Sequence, residues 1–60
     1  MTKKHLEAMA REFRLVLDAV DTTEAWAGAV LAIESFMRVA AVANPRFDRS
    51  RFRGACGLPE

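Results

Sequence analysis

Side chains that could do covalent or acid–base chemistry are scarce in this sequence, which has one histidine, His5, and one cysteine, Cys56. His5 follows two lysines and has no catalytic partner close in sequence, so we expect a solvated residue and not a general base. Cys56 could be a nucleophile, but near Phe52 we expect it to be a small apolar packing residue. One cysteine forms no intramolecular disulfide, and one cysteine with one histidine forms no Cys/His metal site. We expect no metal and no cofactor.

A second charged feature is the pair Glu34 and Arg38, four residues apart in a stretch that is otherwise apolar. On a helix this spacing allows a solvated ion pair at the rim of a face. The alternative is a pair that sets the register of an interface. The sequence contains no Gly-rich phosphate loop, no nucleophile elbow and no paired catalytic carboxylates. We therefore expect a protein that is not an enzyme.

The basic residues gather near the C-terminus in an arginine cluster, Arg46, Arg49, Arg51 and Arg53. Such a cluster can bind the phosphates of a nucleic acid. The alternative is the solvated face of a short helix that buries its phenylalanines on the other side. A helix of about two turns reads the major groove poorly without a companion helix. With a net charge of only +1, nucleic-acid binding is the second hypothesis.

The element that must position these residues is the apolar stretch 22–43, which has no charged side chain between Glu24 and Glu34. A helix that is apolar nearly all round is usually buried from several sides, and a chain of 60 residues offers little to bury it. The stretch has the length of a membrane span, but Glu34 and Arg38 would be costly in lipid. No signal peptide is visible. We expect a cytoplasmic protein without a membrane partner.

Periodicity and capping signals predict an all-α domain spanning residues 1–60, with helices at about 3–19, 22–43 and 49–56. Thr2 is the expected N-cap of the first helix. Asp21 with Glu24 resembles a capping box for the second. The second helix should end at Asn44-Pro45. We expect the first two helices to form a hairpin, although no Gly or Pro lies between them and one bent continuous helix is the alternative.

The third helix has the clearest local signals. Asp48 is its expected N-cap, and Phe47 and Phe52 have the spacing of a hydrophobic staple. Gly57 and Leu58 fit a Schellman ending, with Leu58 folded back toward Phe52. We expect this segment to be ordered and docked on the hairpin through its phenylalanines.

Two stripes can be separated on the second helix. We expect the large one (Trp26, Val30, Ile33, Met37 and Ala40, flanked by Phe36) to face the first helix. The small one (Ala25, Gly28, Ala29, Ala32 and Ser35) would let another helix approach closely; its alternative explanation is that alanines simply favour helix. The prediction is a homodimer that buries the second helix in a helical bundle. The interface residues proposed from the sequence are Trp26, Gly28, Ala29, Val30, Ala32, Ile33, Phe36 and Met37.

The segment 44–57, NPRFDRSRFRGACG, resembles the ending of many small proteins of bacteriophages and prophages, whose tails read NPRFD, then RF, then ACG. The resemblance covers about a quarter of the chain, and its residues coincide with caps and staples. It implies expression in the cytoplasm of an infected bacterium and a phage accessory role. The resulting hypothesis is a small interaction protein that binds or inhibits a host protein. The second hypothesis is a nucleic-acid binder that uses the arginine cluster.

Overall fold

A computed structural model of the protein describes residues 2–59. The described part is all-helical, with 79% of its residues in three helices, α1 (Lys3–Ala19), α2 (Thr23–Ala43) and α3 (Arg49–Cys56). The ranges of α1 and α3 coincide with those expected from the sequence. Thr2 caps α1 as predicted, its hydroxyl accepting the His5 backbone N–H at 3.3 Å.

The start of α2 differs from the prediction by one residue. Thr22, and not Asp21, is the N-cap, because its hydroxyl accepts the Ala25 N–H at 3.1 Å. The third helical residue is therefore Ala25, which has no side-chain acceptor to return the bond, and the expected Asp21–Glu24 capping box does not form. The helix begins at Thr23.

The first two helices form a hairpin and not a bent continuous helix. Val20 (ψ 139°) and Thr22 (ψ 154°) have extended backbone conformations that end α1 and precede α2. The longest dimension of the protein is 34 Å, while the 21 residues of α2 alone span about 31 Å at 1.5 Å per residue. Helix α1 must therefore lie alongside α2. The ring centroids of Phe13 and Phe36 are 5.5 Å apart in an edge-to-face contact between the two helices.

Helix α3 packs mainly on α1 and completes the core. Asp48 caps it as expected, accepting the Arg51 N–H at 3.0 Å. At its other end Gly57 has φ 88°, the left-handed conformation that favours glycine. The Leu58 N–H then donates to the Arg53 carbonyl at 2.9 Å, which completes the predicted Schellman ending and turns Leu58 into the core, where it is 5% exposed.

The core is small and has an aromatic centre. Phe52 of α3 lies 5.5 Å from Phe36, 6.3 Å from Phe13 and 5.4 Å from Phe47, measured between ring centroids. All four phenylalanines of the chain therefore meet around one side chain. The residues buried in the core cluster with Phe52 are Ala10, Ile33, Met37, Cys56 and Leu58.

Candidate interaction surfaces

Helix α2 has two faces with opposite environments. Its inner face (Val30, Ile33, Met37 and Ala40) points into the protein, with Ile33, Met37 and Ala40 fully buried and Val30 partly buried. Its outer face consists of seven exposed residues that follow one another at spacings of three, four and one: Ala25, Gly28, Leu31, Ala32, Ser35, Val39 and Val42. The large and small stripes expected from the sequence thus lie on opposite sides of the helix.

The outer face is more apolar than predicted from the sequence. Leu31 is 71% exposed, Val39 60% and Val42 85%, and none of these was among the interface residues proposed from the sequence. They sit among small residues, and a Cβ added to Gly28 would meet no atom within 4 Å. Continuing the small stripe past Ser35 at helical spacing would have found Val39 and Val42, and Leu31 follows Gly28 at the same spacing of three.

The residues that were proposed as an interface divide between the two faces. Ile33 and Met37 belong to the core of the protein itself, and Phe36 and Val30 lie partly buried at its edge. Gly28 and Ala32 are exposed on the outer face, with Ala29 half-buried beside them.

Trp26 does not lie in the core with the rest of the large stripe. It is 43% exposed and lines a shallow depression of about 410 Å³ at the hairpin turn, together with residues 20–23. The physical reason is that α1 has already ended at Ala19, so only the extended linker covers the indole. Trp26 therefore lies in the first turn of α2 beside the linker, outside the buried core.

A charged bridge joins α2 to α3. The guanidinium of Arg53 donates to the carboxylate of Glu34, and both side chains are about 70% buried. Arg53 also donates through Nε to the Pro59 carbonyl at 3.0 Å. This is the one ion pair within residues 2–59, so the expected Glu34–Arg38 pair does not form. Since Arg53 is engaged with Glu34, it is not available to the arginine cluster in the way the sequence suggested.

The other three arginines of the cluster are exposed near the start of α3. Arg46 and Arg51, with Lys3 of α1, stand at the edge of an open groove of about 610 Å³ between α1 and α3. The floor of this groove is apolar and includes Leu6, Ala10 and Phe52. Because Glu7 and Asp48 also line it, the groove carries both signs of charge and is not a continuous basic track.

The two side chains that could do covalent or acid–base chemistry, Cys56 and His5, have structural roles. Cys56 is fully buried beside Phe52, as expected. Burial raises the pKa of its thiol above the ordinary value of 9.0, and nearby Arg53 lowers it by a smaller amount. A thiol held protonated is a poor nucleophile. His5 Nδ1 accepts the Thr2 N–H at 3.5 Å and lies 3.0 Å from the Thr2 hydroxyl, so the histidine belongs to a capping box and is not simply solvated.

By length and composition α2 is long and apolar enough to cross a membrane. Within its most apolar continuous segment of 18 residues, 17% of the segment is buried in the protein. In the fold, however, α1 and α3 cover its inner face, and Glu34 is tied to Arg53. Insertion would require both helices to detach.

Comparison of the chain with protein-family models, curated proteins and solved structures finds no match.

Proposed function

We propose that this protein is a small non-enzymatic interaction module that binds another protein chain through the outer face of α2. The observation that carries the proposal is the exposure of Leu31, Val39 and Val42 along one helix face in a chain of 60 residues. Small proteins rarely leave a contiguous apolar surface of this kind uncovered unless it is a contact site.

The energetics favour a covered outer face. Burying a valine or leucine side chain stabilises a complex by about 1.5–3 kcal/mol, and three such side chains lie within twelve residues of α2. Gly28 adds a reason of its own, because glycine in a helix interior costs about 1 kcal/mol relative to alanine. A neighbouring backbone that approaches closely at Gly28 would offset this cost.

The chemistry of the face indicates a protein and not a membrane surface. Helices that lie on membranes carry lysine and arginine along the polar side that flanks their apolar face. Helix α2 has a single cation, Arg38, against Glu24 and Glu34, so it offers little attraction to anionic lipid.

The setting we propose is the cytoplasm of a phage-infected bacterium, with a host protein as the target that the module occupies or inhibits. The resemblance of segment 44–57 to the tails of phage proteins supports this setting. The apolar outer face supports binding to a protein surface and gives no support to a catalytic role.

The second candidate function is nucleic-acid binding through the arginine cluster. The exposure of Arg46, Arg49 and Arg51 around the start of α3 favours it. The engagement of Arg53 with Glu34 and the acidic residues in the adjoining groove weaken it. Phosphate contacts would make the affinity fall steeply with salt, whereas apolar contacts would not.

A tagged pull-down from bacterial lysate, with and without nuclease and at two salt concentrations, tests the proposal. We expect a protein partner that survives nuclease and high salt, is lost with Val39→Glu, and is retained with Leu15→Glu. The matched control is apt because Leu15 is 61% exposed on α1, away from α2. Retention of every partner by Val39→Glu would contradict the proposal. Loss on nuclease treatment, and with Arg49→Ala and Arg51→Ala, would favour nucleic-acid binding.

A further inference from the structure

The protein exposes more surface than a compact monomer of its mass needs to. Its solvent-accessible surface is 4355 Å², and its mass is 6.7 kDa. The scaling of folded monomers gives roughly 3,900 Å² for that mass. The excess is about 450 Å², and three of the six large hydrophobic side chains that are exposed in residues 2–59, Leu31, Val39 and Val42, lie on the outer face of α2.

The outer face also changes in size along the helix. Along the middle of the face the N-terminal part holds small side chains at Ala25, Gly28 and Ala32 and the C-terminal part holds the β-branched Val39 and Val42, while Leu31 lies at the edge of the face. Two parallel copies would place glycine opposite glycine and valine opposite valine. Two antiparallel copies can place both valines opposite small residues, and voids and overlaps are both costly in packed contacts.

We infer that the outer face of α2 is covered by α2 of a second copy of this chain, packed antiparallel about a two-fold axis that passes between residues 33 and 34. In this register Ala25 faces Val42 of the other copy, Gly28 faces Val39, and Ala32 faces Ser35. The relation is reciprocal, as a two-fold interface requires. Gly28 then receives the valine that a larger residue would exclude, and the macrodipoles of the two helices run in opposite directions.

The area is consistent with a reversible dimer. A contact confined to one face of α2 on each copy is expected to be smaller than the roughly 1,200 Å² of standard specific interfaces and to fall in the range of weak, transient ones. We therefore expect dimers that dissociate on dilution. The inference rests on the proposed function, because it keeps the outer face as the contact surface and names what occupies it. Because the dimer dissociates on dilution, the outer face of a free monomer is the surface that a host protein would bind, and the second copy and the host protein would compete for it.

Sedimentation equilibrium of the purified protein tests the oligomeric state without any lysate. We expect a mass that rises with concentration from 6.7 kDa to twice that value. Val39→Glu should remain monomeric throughout, and the matched control Leu15→Glu should dimerise like the wild type. A wild-type mass that stays monomeric up to roughly 1 mM, a concentration at which even weak dimers form, would overturn the inference.

Oxidative cross-linking tests the register. In the antiparallel pair the two Gly28 positions lie eleven residues apart along the axis, about 16 Å, beyond the reach of a disulfide. We expect Gly28→Cys and Val39→Cys to remain uncross-linked alone and to cross-link when mixed. The wild type, whose Cys56 is fully buried, is the control. Cross-linking of each variant with itself would show a parallel pair and overturn the register.

The two proposals fail in different ways. If the protein is monomeric and its lysate partner is lost with Val39→Glu, the antiparallel dimer is refuted and the proposed interaction module stands. If the protein forms a dimer with the cross-linking pattern above and captures no lysate partner, the antiparallel dimer is supported and the host-protein target is refuted.

Discussion

Glu34, the one acid in the middle of the apolar helix α2, is bonded to Arg53 of α3, 19 residues further along the chain. The bond fixes α3 against α2 on one side, while Phe52 packs against Phe36 on another. A carboxylate that looks out of place in the sequence is therefore part of the tertiary structure. The same bond removes one arginine from the basic cluster.

Breaking the Glu34–Arg53 bridge should lower stability modestly. We expect Arg53→Ala to reduce the free energy of unfolding by about 1 kcal/mol, because the pair keeps some solvent exposure and is partly screened. Urea denaturation measures this. Arg49→Ala removes the same charge from an exposed position of α3 and should have little effect. Additive effects of Glu34→Gln and Arg53→Ala in a double-mutant cycle would show that the bridge contributes nothing.

Removing the central aromatic ring should unfold much of the protein. Phe52 is 6% exposed and contacts the other three phenylalanines. Phe→Ala changes in cores cost about 3–5 kcal/mol, which approaches the total stability of a small domain. Circular dichroism should show a strongly lowered melting temperature or lost helicity for Phe52→Ala. Leu15→Ala, at a 61% exposed site, should melt like the wild type; equal melting of both variants would contradict the described core.

The buried thiol should make stability fall at alkaline pH. Burial raises the pKa of Cys56 in the folded protein above 9.0, so the folded state holds the proton more tightly than the unfolded chain. This contribution is fully present below pH 9.0 and is lost as the pH rises through the folded-state pKa. Urea titrations between pH 8 and pH 11 should show the loss. Cys56→Ala should remove this component, and an identical pH profile in that variant would assign the loss to other groups.

Gly28 and Gly57 should respond in opposite directions to alanine. Gly57→Ala forces a Cβ into a φ of 88° and should destabilise the protein by about 1 kcal/mol. Gly28→Ala, in a helix with no atom within 4 Å of the new Cβ, should stabilise the monomer by about 1 kcal/mol. Thermal melts in dilute solution compare them. A destabilising Gly28→Ala under those conditions would mean that something already covers the outer face there.

Local signals in the sequence were sufficient to predict where the helices lie, apart from the N-cap of α2. The Asp48 cap, the Phe47–Phe52 staple and the Gly57 ending each depend on residues less than one or two turns apart, and all of them are present in the structure. The start of α2 was misplaced because Asp21 and Thr22 are both good caps, and only the backbone conformation at Thr22 decides between them.

Contacts between distant segments could not be read in the same way. The pairing of Glu34 with Arg53 depends on where α3 docks, and Arg38 was the nearer partner in sequence. The exposure of Trp26 depends on α1 ending at Ala19 while α2 begins after an extended linker. Periodicity identified which residues share a face of α2, but the face that α1 and α3 would leave uncovered is decided by their packing.

The half-exposed indole at the hairpin turn gives the protein an internal fluorescent reporter. Trp26 is the only tryptophan in the chain, and its depression is formed by the linker between α1 and α2. Its emission should therefore respond when the hairpin opens. Because it lies on the side of α2 away from the outer face, association through that face should leave the spectrum nearly unchanged. One natural chromophore thus separates unfolding from assembly.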